Sequence, residues 1–148
     1  MTPPLPPLPP PPPPPPPRTI LVVDDEAALR RVLERSLSRH GIRMIGAGSA
    51  ETAYELLASE APHAILLDIR LPTMSGLALY LAIVHRWPGL DGRIAIMTGD
   101  AEAEEVRTWL EHHQCPVIRK PFNLQEILDW LDQTIRAGDA RQRGGAEA

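Results

Sequence analysis

"TILVVDDEAALRRVLERSLSRHG" (residues 19–41) contains one complete structural unit. Residues 19–23 are an unbroken apolar run rich in β-branched side chains, as a strand covered on both faces requires. Leu29, Val32, Leu33 and Leu37 then recur at helical spacing, and Gly41 supplies the stop. The stretch reads as a strand followed by a helix, with the acidic pair Asp24–Asp25 at the turn between them.

The same unit recurs four more times. "RMIGA" (43–47) is a second strand, and Ser49 can cap a helix carrying Ala53, Leu56 and Leu57. "AILL" (64–67) is a third, followed by the turn-rich "LPTMSG" (71–76) and the apolar helix "LALYLAIVH" (77–85). "RIAIM" (93–97) is a fourth; Asp100 can cap the next helix, whose first turn holds Glu102, Glu104 and Glu105. "PVIR" (116–119) is the fifth, and Asn123 and Glu126 have capping-box spacing. The last helix places Leu124, Ile127, Leu128, Leu131 and Ile135 on one face, with Trp130 off that face and partly exposed. Five strand–helix units in sequence predict an α/β fold, a doubly wound five-stranded parallel sheet with helices on both faces.

Outside these units the composition changes. Thirteen of the eighteen prolines fall in residues 1–17, "MTPPLPPLPPPPPPPPP", which predicts an unfolded polyproline II arm. It reads as a semi-rigid spacer, or as a ligand for an aromatic groove. Residues 137–148 are small and polar and predict a disordered tail, leaving 18–136 for the packed domain. The arm has neither the basic start nor the apolar run of a signal peptide. No apolar stretch approaches the roughly 20 residues of a membrane helix. At net charge −4, with no basic block, nucleic acid is not an expected partner. Cys115 is the only cysteine; it reads as a small buried residue, and a reducing, cytoplasmic setting fits. His112 and His113 read as solvent-facing.

The chemistry lies at the strand ends. The first strand ends at Asp24 and Asp25, the third at Asp68, the fourth at Thr98, the fifth at Lys120. In an open parallel sheet the carboxyl ends of the strands share one crevice. The second strand ends in "GAG" with nothing reactive and belongs at an edge. Clustered carboxylates repel one another unless they bind protons or a hard cation, and all-oxygen ligands suit Mg²⁺. One carboxylate can then act as a nucleophile toward phosphorus, with the ammonium and hydroxyl meeting the charge on the transferred oxygens. Lys120 is the only lysine, against fourteen arginines. A compact ammonium fits a crowded site where a planar guanidinium fork does not.

"LVVDDE" (21–26), "LLDIRLPTMSG" (66–76), "IMTGD" (96–100) and "IRKPF" (118–122), in that order and spacing, resemble the receiver domain of two-component response regulators of the chemotaxis-regulator type. The core is also similar to the C-terminal receivers of hybrid histidine kinases. The resemblance covers Thr19 to about Ile135. It implies a flavodoxin-like (βα)5 fold with strand order 2-1-3-4-5 and a cis Lys120–Pro121 bond. It implies Asp68 as phosphoacceptor, with Thr98 and Lys120 contacting the phosphoryl group. It implies Mg²⁺ held by Asp24 (through a water), Asp25, Asp68 and the backbone carbonyl of Arg70. The donor would be a phosphohistidine on a histidine kinase or histidine phosphotransfer protein. A partner contact on the fourth helix, fifth strand and fifth helix is implied as well; Trp109 and Trp130 read either as the rim of the core or as part of that surface. Receivers often carry Tyr or Phe three residues before the lysine; here Val117 stands there, so the conformational readout is expected to differ.

The expected function is a phosphorylation-dependent signalling module that is not an enzyme, with slow autodephosphorylation and no output domain after the last helix. The alternatives are an aspartyl-nucleophile phosphohydrolase and a receiver-only fragment of a hybrid kinase. The hydrolase needs a second acid two residues after its nucleophile, where Arg70 stands. Arg70 and Asp100 are expected to pair across the pocket mouth. "GAGSAE" (46–51) follows the wrong strand for a dinucleotide loop and has Glu51 where a small residue is needed.

Overall fold

The computed structural model describes residues 2–14, 17–99 and 103–147, the stretch 140–147 by its backbone only. The expectations placed on Asp100 and Glu102 lie outside the described residues. Five strands, β1 (Arg18–Val23), β2 (Ile42–Ala47), β3 (Ala64–Asp68), β4 (Ile94–Thr98) and β5 (Val117–Arg119), form one sheet. Its order is 2-1-3-4-5 and every pairing is parallel. The helices are α1 (Ala27–Ser38), α2 (Ala50–Ser59), α3 (Gly76–Arg86), α4 (Glu104–His112) and α5 (Leu124–Glu147), with a 3-10 turn at Pro88–Leu90.

Alternate strand residues point to opposite faces, and both faces are covered. Ile20, Val22, Leu66 and Met97 pack with Leu33 and Leu37 of α1 and Ile127 and Leu131 of α5. Leu21, Val23, Ile65 and Leu67 pack with Ala53 and Leu57 of α2 and Leu79 and Ile83 of α3. This double burial is why the inner strands β1, β3 and β4 read as unbroken apolar runs, while the edge strands β2 and β5 are partly exposed. Expected caps form: Ser49 Oγ accepts from Thr52 N at 3.2 Å, and Asn123 Oδ1 from Glu126 N at 3.0 Å. Gly41 sits at φ 72°, a left-handed position that favours glycine and ends the first helical unit. Among the described residues no helix is long and apolar enough to cross a membrane.

Three expectations about side chains and ends differ. Val32 is exposed, so the buried face of α1 is Leu29, Leu33 and Leu37. Trp130 is buried, with 8% exposure. Helix α5 buries Ile127, Trp130, Leu131, Thr134, Ile135 and Gly138, an arc turned toward the indole and away from Leu124 and Leu128. The small or slender Thr134 and Gly138 let that side approach the sheet, which the apolar stripe alone does not show. The indole Nε1 of Trp130 is buried without a hydrogen bond, as is that of Trp109, each at a cost of about 1–3 kcal/mol. Finally, the segment expected to be a disordered tail from 137 continues α5 to Glu147. Adding a residue to a docked helix needs no new nucleus, and Ala, Arg, Gln and Glu are good helix formers.

Candidate functional site: an acidic pocket at the carboxyl rim

Strand order reverses between β1 and β3: the chain passes from β1 to β2 on one side, then to β3 on the other. A crevice opens outside the carboxyl ends of strands at such a point. Asp24 and Asp25 follow β1 there, and Asp68 ends β3. One carboxylate oxygen from each lies within 4.8 Å of the others. Asp24 is fully buried (0% exposed), Asp68 nearly so (7%), and Asp25 faces solvent.

Lys120 reaches this cluster from the far edge of the sheet. Its Nζ donates to Asp24 Oδ2 at 2.7 Å and to Asp68 Oδ2 at 3.1 Å. Its backbone N donates to Thr98 O at 2.8 Å, and the bond to Pro121 is cis. Thr98 is buried at the end of β4, one position beyond Met97, the register partner of Asp68. Arg70 joins the cluster through its amide, which donates to Asp68 Oδ1 at 3.1 Å; its side chain is exposed. The pairing of Arg70 with Asp100 lies outside the described residues. Burial pushes the Asp68 carboxyl above its usual range, against the Arg70 amide and Lys120. Burial pulls the Lys120 ammonium down, and the hydrogen bonds it donates to Asp24 and Asp68 outweigh this, so its affinity for the proton is raised.

Three carboxylates set against the Lys120 ammonium leave an excess of negative charge in a nearly buried space. That donor set, oxygen throughout with one ligand open to water, fits a hard divalent cation such as Mg²⁺.

Supporting residues absent from the sequence reading appear here. Arg30 of α1 lies under the loop after β2, and its Nη1 donates to the backbone carbonyl of Asp24 at 2.5 Å. A Cβ on Gly46 would come within 3.3 Å of Arg30 Cδ, and one on Gly48 within 3.2 Å of Arg30 Nη1. The unreactive "GAG" is therefore the space in which this guanidinium lies. On the other side, a Cβ on Gly76 would overlap the carbonyl of Asp68, and Gly76 N donates to Ile69 O at 2.7 Å. Glu51 of α2 accepts from the Thr73 hydroxyl, which lowers the Glu51 carboxyl and ties the loop after Asp68 to α2. A cleft of about 390 Å³ opens beside this loop, between Arg70, Met74, Thr98 and Glu105.

Away from the site, His112 is exposed, whereas His113 stacks on Trp109 with ring centroids 4.4 Å apart. Trp109 also meets Tyr80 edge-on at 4.9 Å and is partly buried. Val117 packs with Ile96, Val106 and Leu110.

Comparison with known proteins gives a consistent result. The family model for the response regulator receiver domain matches residues 20–132. The DNA-binding transcriptional regulator NtrC of Proteus hauseri is 32% identical over 116 residues, which are 78% of this chain and 24% of that protein. The response regulator MprA of Mycolicibacterium vanbaalenii is 36% identical over 117 residues, 79% of this chain and 50% of that protein. The chain thus spans between a quarter and a half of the length of these relatives. The non-phosphorylated HemR receiver domain from Leptospira biflexa superposes with a TM-score of 0.68 at 30% identity, covering 80% of this chain and 94% of that one. A receiver domain protein from Methanospirillum hungatei JF-1 gives 0.76 at 23% identity, covering 84% and 98%; that likeness bears on the fold alone.

Proposed function

The chain belongs to the response regulator receiver domain family, and from that premise we propose that it accepts a phosphoryl group on Asp68 from a phosphohistidine of a histidine kinase or histidine phosphotransfer protein. The observation that carries this reading is the pair of hydrogen bonds from Lys120 Nζ, which link Asp68 at the end of β3 to Asp24 at the end of β1.

Each residue has a task in that reaction. An Asp68 carboxylate oxygen attacks phosphorus, the P–O bond forms as the P–N bond breaks, and the imidazole leaves with the electron pair. The Arg70 amide and Lys120 fix the carboxylate's orientation before attack. Lys120 turns from Asp68 to the transferred oxygens, and the Thr98 hydroxyl donates to them; both act where charge is spread over the phosphoryl group. Asp24, Asp25, Asp68 and the Arg70 carbonyl would hold Mg²⁺, which supplies charge neutralisation at the phosphoryl oxygens when bound. Water attack on the acyl phosphate then returns Asp68 slowly, so the chain acts as a reactant that resets. Its signal passes to a partner through α4, β5 and α5, beside Val117 and Trp109.

The test is direct. With Mg²⁺ and a small phosphoryl donor, intact mass should rise by one phosphoryl group that is base-labile, and peptide mapping should locate it on Asp68. Asp68→Asn should remove it. Phosphate at another residue overturns the assignment, and sustained turnover of phosphate esters would favour a phosphohydrolase.

A further inference from the structure

The amino rim of the sheet, opposite Asp68, presents a ligand-like segment and a groove that matches it. Residues 2–14 have no secondary structure and are exposed, with Leu5 and Leu8 each 91% exposed. A groove of about 590 Å³ lies between the end of α2 and the 3-10 turn, lined by Leu57, Ala61, Pro62, Trp87, Pro88 and Leu90. Tyr54 stands beside it, 40% exposed, its ring 4.9 Å from that of Trp87 and inclined at 55°. The Arg86 guanidinium covers Trp87 at 5.2 Å.

We propose that this groove binds the leucine-bearing tip of the proline arm of a second copy of the chain. A polyproline II helix has three residues per turn, so Leu5 and Leu8 fall on one edge with proline rings between them. Such helices dock in aromatic-lined grooves because they are ordered before binding and lose little entropy there. The exposed Tyr54 ring offers a flat face to proline, Leu57 and Leu90 offer an apolar floor, and Trp87, covered on its ring by Arg86, lines the wall with an indole N–H as a donor for the arm's carbonyls.

Stiffness selects the second copy. Residues 9–14 are six successive prolines without secondary structure, a rod of roughly 19 Å at about 3.1 Å per residue. The groove lies next to the start of β1, from which the arm departs: His63, just past Pro62, accepts from Thr19 N at 3.0 Å. The rod therefore carries Leu5 and Leu8 away from their own groove. Reciprocal exchange, each arm in the other's groove, closes a two-fold pair. It leaves the carboxyl rim clear, so the pairing stands independently of the phosphoryl chemistry.

Sedimentation of the full chain over a hundredfold concentration range tests this. Wild type should double its apparent mass at the upper end. Trp87→Ala and the double variant Leu5→Asp/Leu8→Asp should each remain single chains. An equal mixture of the two should regain partial association, since it holds one intact arm and one intact groove. Should Trp87→Ala lower the melting point, Tyr54→Ser, at an exposed ring, serves as the groove variant. A wild type that stays single, variants that pair as wild type does, or a mixture that fails to recover overturns the proposal. A single-chain wild type whose tryptophan emission shifts on Leu5→Asp/Leu8→Asp would place the arm in its own groove and also overturns it.

Discussion

Lys120 shows how much one side chain's shape matters. Its Nζ lies 2.7 and 3.1 Å from two carboxylates at the ends of different strands, a bridge that a point charge can make and a planar fork cannot make without displacing one of them. Lys120→Arg should still yield phosphorylated Asp68, at least tenfold more slowly, as read from the rate of mass gain with a small donor. A wild-type rate would show that charge alone suffices. Arg30 acts one step further back. It holds the Asp24 carbonyl without touching a carboxylate. A net hydrogen bond to a charged group is worth about 1.5–3 kcal/mol, so Arg30→Ala should lower stability by no more than that while weakening Mg²⁺ binding several-fold. Arg30→Lys should restore part of it. Equal Mg²⁺ affinity in calorimetric titration of wild type and Arg30→Ala would mean the guanidinium only packs. Cys115 is the residue with a definite pH consequence. Burial pushes its thiol up to about 12 from the ordinary 9.0, so the native state keeps a proton that the unfolded chain releases. Stability is therefore intact below about pH 9 and falls as pH rises toward 12, by at most about 1.4 kcal/mol per unit for one such group. Comparing wild type with Cys115→Ala in urea across that range isolates this share, since buried Tyr80, whose hydroxyl is also shifted up, is common to both.

Among the elements, the inner strands β1, β3 and β4 were the plainest in the sequence because they are covered on both faces and apolar along nearly their whole length, whereas the edge strands β2 and β5 are partly exposed and carry Arg43 and Arg119. What escaped are features set by contacts distant in sequence. The role of "GAG" depends on β2 lying beside β1, with Val22 opposite Gly46, so that Arg30 of α1 lies across it. The burial of Trp130 depends on how α5 is turned, which Thr134 and Gly138 decide together with the indole. The end of α5 carries no apolar periodicity past Ile135, and its helical course comes from the docked stem before it. The acidic pair, Asp68, Thr98 and Lys120 were legible because strand ends in a parallel sheet share a rim; their detailed contacts were not. The turn into α3 makes a further prediction. Gly76→Ala would drive a methyl group into the backbone carbonyl of Asp68, which cannot rotate aside as a side chain does. The change should cost about 1–3 kcal/mol in chemical denaturation and slow phosphorylation by moving Asp68, the proposed acceptor. A stability loss under half that would show that the loop yields.

For the molecule as a whole, the concentration of carboxylates at one rim is a local instability that a bound cation would relieve. A ligand that binds only the native state adds RT ln(1 + [L]/Kd), roughly 1–3 kcal/mol at ~10 to 100 times Kd. Millimolar Mg²⁺ should raise the melting point by several degrees, and Asp25→Asn should abolish the shift. An unmoved midpoint removes the metal assignment. The sheet's direction has one more consequence. β1 begins at the amino rim, where Arg18 pairs with Asp132 of α5 at 3.3 Å, and by Gly138 that helix lies against Arg93 at the start of β4. The chain thus enters and leaves on the same side, with the acidic pocket on the other. Such a body can be spliced between two neighbours, or hung from either strap, without anything being threaded past its mouth. A bulky fluorescent fusion at either end should therefore leave the rate at Asp68 unchanged.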